Sequence, residues 1–96
     1  MTQLWWSLQA LRDLEAIREY IAVDSPRYAG LVVERIIAAV ERLRAFPESS
    51  RVMPERSDPQ IREFIVRPYR VVYRYRQEEV EIATVFRASR PFPDIG

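Results

Sequence analysis

The chain has 96 residues, enough for one domain with a modest core. Hydrophobic residues make up 48% and charged residues 30%, a globular balance that argues against disorder. The formal net charge of +1 predicts no general affinity for nucleic acid, yet all fifteen basic residues are Arg, with no Lys, His or Cys. Every cation is therefore permanently charged, planar and suited to bidentate contact with carboxylate or phosphate. Without Cys there is no disulfide, thiol nucleophile or thiolate metal site. Without His, a Ser-His-Asp triad and the usual zinc sites are excluded, and no cofactor or metal is expected. The opening Met1–Trp6 lacks the basic region and apolar stretch of a signal peptide, and no run approaches the ~20 apolar residues of a membrane span. A soluble, cytoplasmic protein is expected.

Gln3–Trp6 reads as a short first strand, in which Trp5 and Trp6 point to opposite sides. One should enter the core and the other meet solvent or a partner. Ser7 is placed to cap a helix running to about Val23, with Leu8, Leu11, Leu14, Ile17 and Ile21 at three- and four-residue steps. Asp24-Ser25-Pro26 closes that helix and opens a second, Ser25 as N-cap and Pro26 at the first helical position. Ala29, Val33, Ile36, Val40 and Leu43 form its apolar stripe, widened by Ile37, until Pro47 stops it near Phe46. So short a link predicts an antiparallel helical hairpin. Leu31 and Val32 fall toward the edges of the stripe, where they either extend the core or line a groove for a partner helix.

Residues 47–59 contain three prolines and read as a loop crossing to the sheet. Ile61–Val66 follows as a strand, Arg67-Pro68 as a break, and Pro68–Ser89 as a β-hairpin. Alternation predicts Tyr75 opposite Val80, Tyr73 opposite Ile82, Val71 opposite Thr84 and Tyr69 opposite Phe86 on one face. The other face then carries Arg76 opposite Glu79, Arg74 opposite Glu81, Val72 opposite Ala83 and Arg70 opposite Val85, with Arg87 beyond. In this register Arg70 has no acidic cross-strand partner and lies close to Arg87. The two form a candidate site for an anion, whereas Arg74 and Arg76 read as solvated cross-strand ion pairs. Tyr69, Tyr73 and Tyr75 read as core. Residues 90–96 read as an irregular, frayed tail. The expected architecture is α+β, a single domain of order β-α-α-β-β-β. Its antiparallel helical hairpin packs on one face of a small, mainly antiparallel sheet.

Several short pieces in fixed order carry a family resemblance. They are Asp13-Leu14, Ile17 and Tyr20-Ile21-Ala22, then Asp24-Ser25-Pro26 with Ala29. Glu41, Leu43, Phe46-Pro47, Arg51, Pro54-Glu55 and Ile61-Arg62-Glu63 follow, and Tyr69-Arg70-Val71-Val72-Tyr73-Arg74, Val85 and Arg90 complete the set. In these the chain resembles the RelE/ParE superfamily of toxins from type II toxin–antitoxin pairs, and the resemblance covers nearly its whole length. The superfamily implies one of two activities: cleavage of messenger RNA on the ribosome, or inhibition of DNA gyrase. The loop with Phe46-Pro47, Arg51 and Pro54-Glu55, followed by Arg62-Glu63, is more similar to the ParE-like branch.

The chemistry points the same way. Cleaving RNA through the 2′-hydroxyl needs a proton acceptor, charge stabilisation and a proton donor. Arg62, Arg70, Arg87 and Arg90 are the residues a nuclease would use on phosphate, but a guanidinium cannot readily exchange a proton. Phe92 lies where such nucleases resemble one another in a Tyr, and Arg87 where relatives often place His. Glu55 or Glu63 is a candidate base without an evident complementary acid. The resemblance thus implies a gyrase-inhibiting toxin with no catalytic site of its own, neutralised by a small ParD-like antitoxin that is partly disordered until bound. The alternatives are a ribosome-dependent messenger RNA endonuclease and a non-toxic antitoxin-binding module. Candidate target- or antitoxin-binding residues are Arg70, Arg74, Arg87, Arg90, Phe92, Trp5, Leu31 and Val32. Direct binding of nucleic acid by the chain alone is not expected.

Overall fold

Ser7 starts the helical half of the fold as predicted. In the computed structural model, which describes residues 2–95, its hydroxyl accepts from the Ala10 amide at 3.0 Å. It follows strand β1 (Gln3–Trp6) and opens helix α1 (Leu8–Ala22), while Ser25 caps helix α2 (Pro26–Glu41) in the same way, with Pro26 in its first turn. A 3₁₀ turn over Arg42–Arg44 ends α2 earlier than the sequence pattern suggested, and Phe46 is exposed. The predicted central stripe of α2 is buried and Val32 joins it, but Ile37, expected to widen the stripe, is exposed because it lies on the far side of that line from Val32. On α1 the buried line is Ala10, Leu14, Ile17 and Ile21, with Ile17 and Ile21 only partly covered. Leu8 and Leu11 are exposed. They sit off that line on the helical wheel, and the small Ala10 supplies the close contact that the predicted stripe assigned to larger side chains.

The sheet has strand order β1-β5-β4-β3-β2, adding β2 (Arg51–Val52), β3 (Ile61–Val66), β4 (Tyr69–Arg76) and β5 (Glu79–Arg87). β1 runs parallel to β5 and every other neighbouring pair is antiparallel. The short β2 was not foreseen in the proline-rich loop. It arises because Met53, just after it, is fully buried and pins the loop against the outer face of the sheet. Arg67-Pro68, joined by a cis peptide bond, links β3 to β4. The β4–β5 turn places Gln77 and Glu78 at positive φ, the left-handed pair that a tight two-residue hairpin requires.

The predicted hairpin register holds from Arg76↔Glu79 to Tyr73↔Ile82 and then shifts by one. Ala83 is the extra residue of a β-bulge, after which Val72 faces Thr84, Val71 faces Val85, Arg70 faces Phe86 and Tyr69 faces Arg87. A bulge reverses the side of every later residue. It coincides with the end of the β1–β5 ladder at Trp6↔Ile82, where the edge of β5 would otherwise be bare. Side chains from the start of α1 take over from β1. The Ser7 hydroxyl donates to the Ala83 carbonyl at 2.9 Å, and Asp13 accepts from the Val85 amide at 2.9 Å and the Thr84 hydroxyl at 2.5 Å.

The main core lies between the helices and one face of the sheet. Ile36, Val40 and Leu43 meet Val71, Tyr73, Val80, Ile82 and Val85 there. Leu4 and Trp6 close its edge, while Trp5 points away and is about half exposed. The Tyr73 hydroxyl donates to the Pro47 carbonyl at 2.8 Å, so the largest buried ring is satisfied at its polar end.

Candidate functional site

The two arginines expected side by side on the outer face occupy opposite faces. β4 carries Arg70 on the outer face, next to β3, and β3 presents Glu63 from the same side. Glu63 is fully buried, and its carboxylate accepts from Arg51 Nε at 2.6 Å and from Arg70 Nε at 2.9 Å, with further contacts from both guanidinium groups. Glu55, in the loop after β2, takes the remaining edge of the Arg70 guanidinium in a bidentate pair at 2.8 and 2.9 Å. The guanidinium also lies 5.3 Å from the centre of the Phe86 ring, a cation–π contact created by the bulge. Only 11% of the Arg70 side chain is exposed. The expectation of an unpartnered Arg70 beside Arg87 is therefore corrected. Its acidic partners come from β3 and a loop, which cross-strand pairing within the hairpin does not consider.

This network has a direct electrostatic consequence. The hydrogen bond from Arg70 holds the Glu55 carboxyl below the ordinary carboxylate range, and Glu55 followed by Glu63 holds the Arg70 guanidinium further above its own. Both changes move the groups away from neutral pH and away from proton exchange.

Around it, a second small core covers the outer face. Met53, Ile61 and Val72 are buried there, with Phe86, Phe92 and Ile95 packed against them. The Phe86 and Phe92 rings are 6.0 Å apart, and Arg74 donates to the Ile95 carbonyl at 3.1 Å as well as to Glu81 at 3.2 Å. Residues 91–95 have no regular structure, as expected, but they pack on the sheet rather than fray; Gly96 lies outside the described residues.

Arg62 occupies a third place. It pairs with Tyr73 across the ladder and donates to the Ser50 carbonyl at 2.7 Å, tying the start of the loop to β3. Arg87 and Arg90 lie at the far end of β5, where the Arg90 amide donates to the Arg87 carbonyl at 2.9 Å. The bulge brings them to the helix side, at the rim of a cleft of about 680 Å³ between α1 and the end of β5. Its wall includes Asp13, Ile17, Tyr69 and Val85, together with Tyr20, which is 75% exposed. The four arginines of the nuclease alternative thus lie in three separate places. Of the candidate partner-binding residues, Trp5 and Leu31 are exposed, Phe92 is partly covered, and Val32 is a core residue. Burial withdraws Val32 from any groove. Periodicity gave no sign of the edge-capping role of Asp13 or the exposure of Tyr20, because neither belongs to an apolar stripe.

Comparison with known proteins agrees with this architecture. Residues 4–92 match the family model described as the ParE toxin of the type II toxin–antitoxin system parDE. The chain is 39% identical over 92 residues to the putative toxin Y4kP of Sinorhizobium fredii, covering 94% of this chain and 92% of that protein. It is 34% identical over 91 residues to toxin RelE2 of Caulobacter vibrioides, covering 94% and 99% respectively. Among solved structures it resembles a chain of the chromosomal ParDE toxin–antitoxin system from P. aeruginosa. That match has a TM-score of 0.76 at 26% identity and covers 91% of this chain and 96% of the other. With the helical hairpin on a mixed, mostly antiparallel sheet and a family match across nearly its whole length, the chain belongs to the ParE toxin family of type II toxin–antitoxin systems.

Proposed function

We propose that this ParE-family toxin inhibits DNA gyrase and has no catalytic site of its own. The observation that carries the reading is the dispersal of its arginines. Arg62 holds loop carbonyls, Arg70 is locked between two carboxylates, and Arg87 and Arg90 stand on the opposite face from Arg70. No single face of the sheet presents all four to one phosphate. Of the two candidate bases, Glu55 is bound to Arg70 and made less basic by it, and Glu63 is buried against Arg70 and Arg51. This arrangement supports action by binding rather than by cleavage.

The toxin is held inactive in the cytoplasm by a cognate ParD-like antitoxin, small and acidic or amphipathic, which orders as it lies across the helical hairpin and a sheet edge. Exposed Leu31, with Leu8, Leu11 and Tyr28, supplies apolar surface on the helices, and Trp5 supplies it on the edge strand β1. The similarity to a chain of a ParDE system supports a partner of this kind.

Inducing the toxin alone in cells tests the reading. Gyrase-linked double-strand breaks with a DNA-damage response and intact transcripts are expected. Codon-phased transcript cuts without DNA damage would overturn it in favour of a ribosome-dependent nuclease. Normal growth with retained antitoxin binding would leave a binding module.

A further inference from the structure

The cleft between α1 and the end of β5 has features that the gyrase reading does not use. Its volume of about 680 Å³ falls within the roughly 300–1,000 Å³ typical of ligand clefts. Its wall is mixed: Ile17 from the helix and the edges of the nearly buried Tyr69 and Val85 from the sheet give it an apolar floor beside Asp13 and Ser89. Its rim carries Arg87 and Arg90 on one turn, and neither guanidinium has a hydrogen-bond or ion-pair partner among the described residues. The one carboxylate in the wall, Asp13, is already engaged at both oxygens, by Gln9 on one and by Thr84 and Val85 on the other. Asp13 therefore lowers the local charge without pairing either arginine.

We propose that this cleft anchors an acidic segment of the antitoxin, which sets an aliphatic side chain against Ile17, Tyr69 and Val85 and places neighbouring carboxylates on Arg87 and Arg90. The inference rests on the antitoxin reading above and deepens it by naming where recognition occurs and by what chemistry. Two planar guanidinium groups suit bidentate carboxylates, and an apolar floor beneath them rewards a side chain that nucleic acid does not have. A phosphate backbone would need a longer row of cations than these two and would leave the apolar floor unfilled. The cations at the rim set the direction of approach, and the apolar floor sets the register of the bound segment.

Calorimetry on the full chain with its cognate antitoxin tests the proposal. The unaltered chain is compared with R87Q/R90Q and with R42Q/R76Q, which removes the same charge outside the cleft. Losing two charge-assisted contacts should weaken binding at least about tenfold in R87Q/R90Q and flatten its salt dependence. The control pair should change affinity by less than about threefold. Because the chain has no cysteine, Y20C provides a second readout, in which antitoxin should slow maleimide labelling of the new thiol. Undiminished antitoxin binding by R87Q/R90Q, or unprotected labelling of Y20C in the complex, overturns the cleft assignment alone. Absence of binding by the unaltered chain overturns the antitoxin reading as well. A loss confined to short duplex DNA or single-stranded RNA would assign the cleft to nucleic acid and defeat the proposal.

Discussion

The two faces of the sheet solve the burial problem in different ways. Toward the helices, Val71, Tyr73, Val80, Ile82 and Val85 form an apolar seal against α1 and α2. Toward the other side, a small core of Met53, Ile61 and Val72 is completed by an ionic network in which the buried Glu63 carboxylate is held by the nearly buried Arg70 and the exposed Arg51, with the C-terminal residues packed alongside. Non-directional burial holds the first face, so it tolerates substitutions that preserve volume. Directional contacts fix the second, which orders a loop and a tail that lack regular structure of their own. The same difference separates the two arginines once expected together. Arg70 on the outer face is an internal tie, and Arg87 on the helix side is left available.

Breaking the ionic network should produce the largest effect. Glu63→Ala leaves the nearly buried Arg70 with only the exposed-side Glu55, and a loss of about 3–5 kcal/mol is expected in urea unfolding. Replacing both partners, Glu63→Met with Arg70→Met, should recover most of that loss, because an apolar pair removes the buried charge together with its need for a partner. A single variant costing under about 1 kcal/mol would show that the network is effectively solvated. On the helix-side face, Ile36→Ala should cost about 3 kcal/mol through lost burial and an unfilled cavity. There, Ile36→Leu should restore most of the stability without any second substitution, which the ionic face does not permit.

Much of this contrast was legible in the sequence, and the rest was hidden for local reasons. Ser7, Ser25 and Pro26 announce the helices because capping is a short-range interaction, and the central α2 stripe is legible because its burial is continuous, although Ile37 beside it is exposed. Alternation worked from Arg76 back to Tyr73, where polar and apolar residues alternate cleanly. It failed at Ile82-Ala83-Thr84-Val85-Phe86, which has no alternation to read, and a bulge there moved Val85 inward and Phe86 outward. The need for that bulge comes from Asp13 and Ser7, more than 70 residues away, as they replace β1 on the edge of β5. The carboxylates that lock Arg70 were visible in the Pro54-Glu55 and Arg62-Glu63 pieces. Their meeting depends on the strand order, and no spacing rule brings them together.

The junction between the faces supplies two intermediate effects. Asp13→Ala removes the acceptor shared by Thr84 and Val85, leaving polar groups near the bulge unsatisfied, and should cost about 2 kcal/mol. Its effect should appear as faster amide exchange at Val85, and unchanged exchange there would assign the edge to another acceptor. At the opposite end, Gln77→Asn with Glu78→Gly should stabilise the protein by about 1 kcal/mol, since both positions have positive φ without a residue that favours it. A thermal scan that shows no gain would mean that the turn geometry is not a cost in the native state.

The smallest effect concerns Glu55 and distinguishes the anchor of the outer face from its clip. The hydrogen bond from Arg70 lowers the Glu55 pKa from an ordinary value of 4.5, so the folded chain holds the ionised form more strongly than the unfolded chain does. The resulting stability is fully present above the ordinary value and is lost as the pH falls through the lowered one. Because 41% of the Glu55 side chain is exposed, solvent screening keeps the contribution below about 1 kcal/mol. Glu55→Gln should therefore change the urea midpoint slightly at neutral pH and lose less stability than the unaltered chain as the pH falls below the ordinary carboxylate value and through the lowered one. Other carboxylates titrate in both proteins and cancel in the difference. Molar salt should shrink the gap for Glu55, and it should leave the Glu63→Ala loss nearly intact because Glu63 is shielded from solvent ions. Equal acid sensitivity in the two chains would move the whole hold on Arg70 to Glu63, making the loop after β2 a passenger on the buried Met53 side chain.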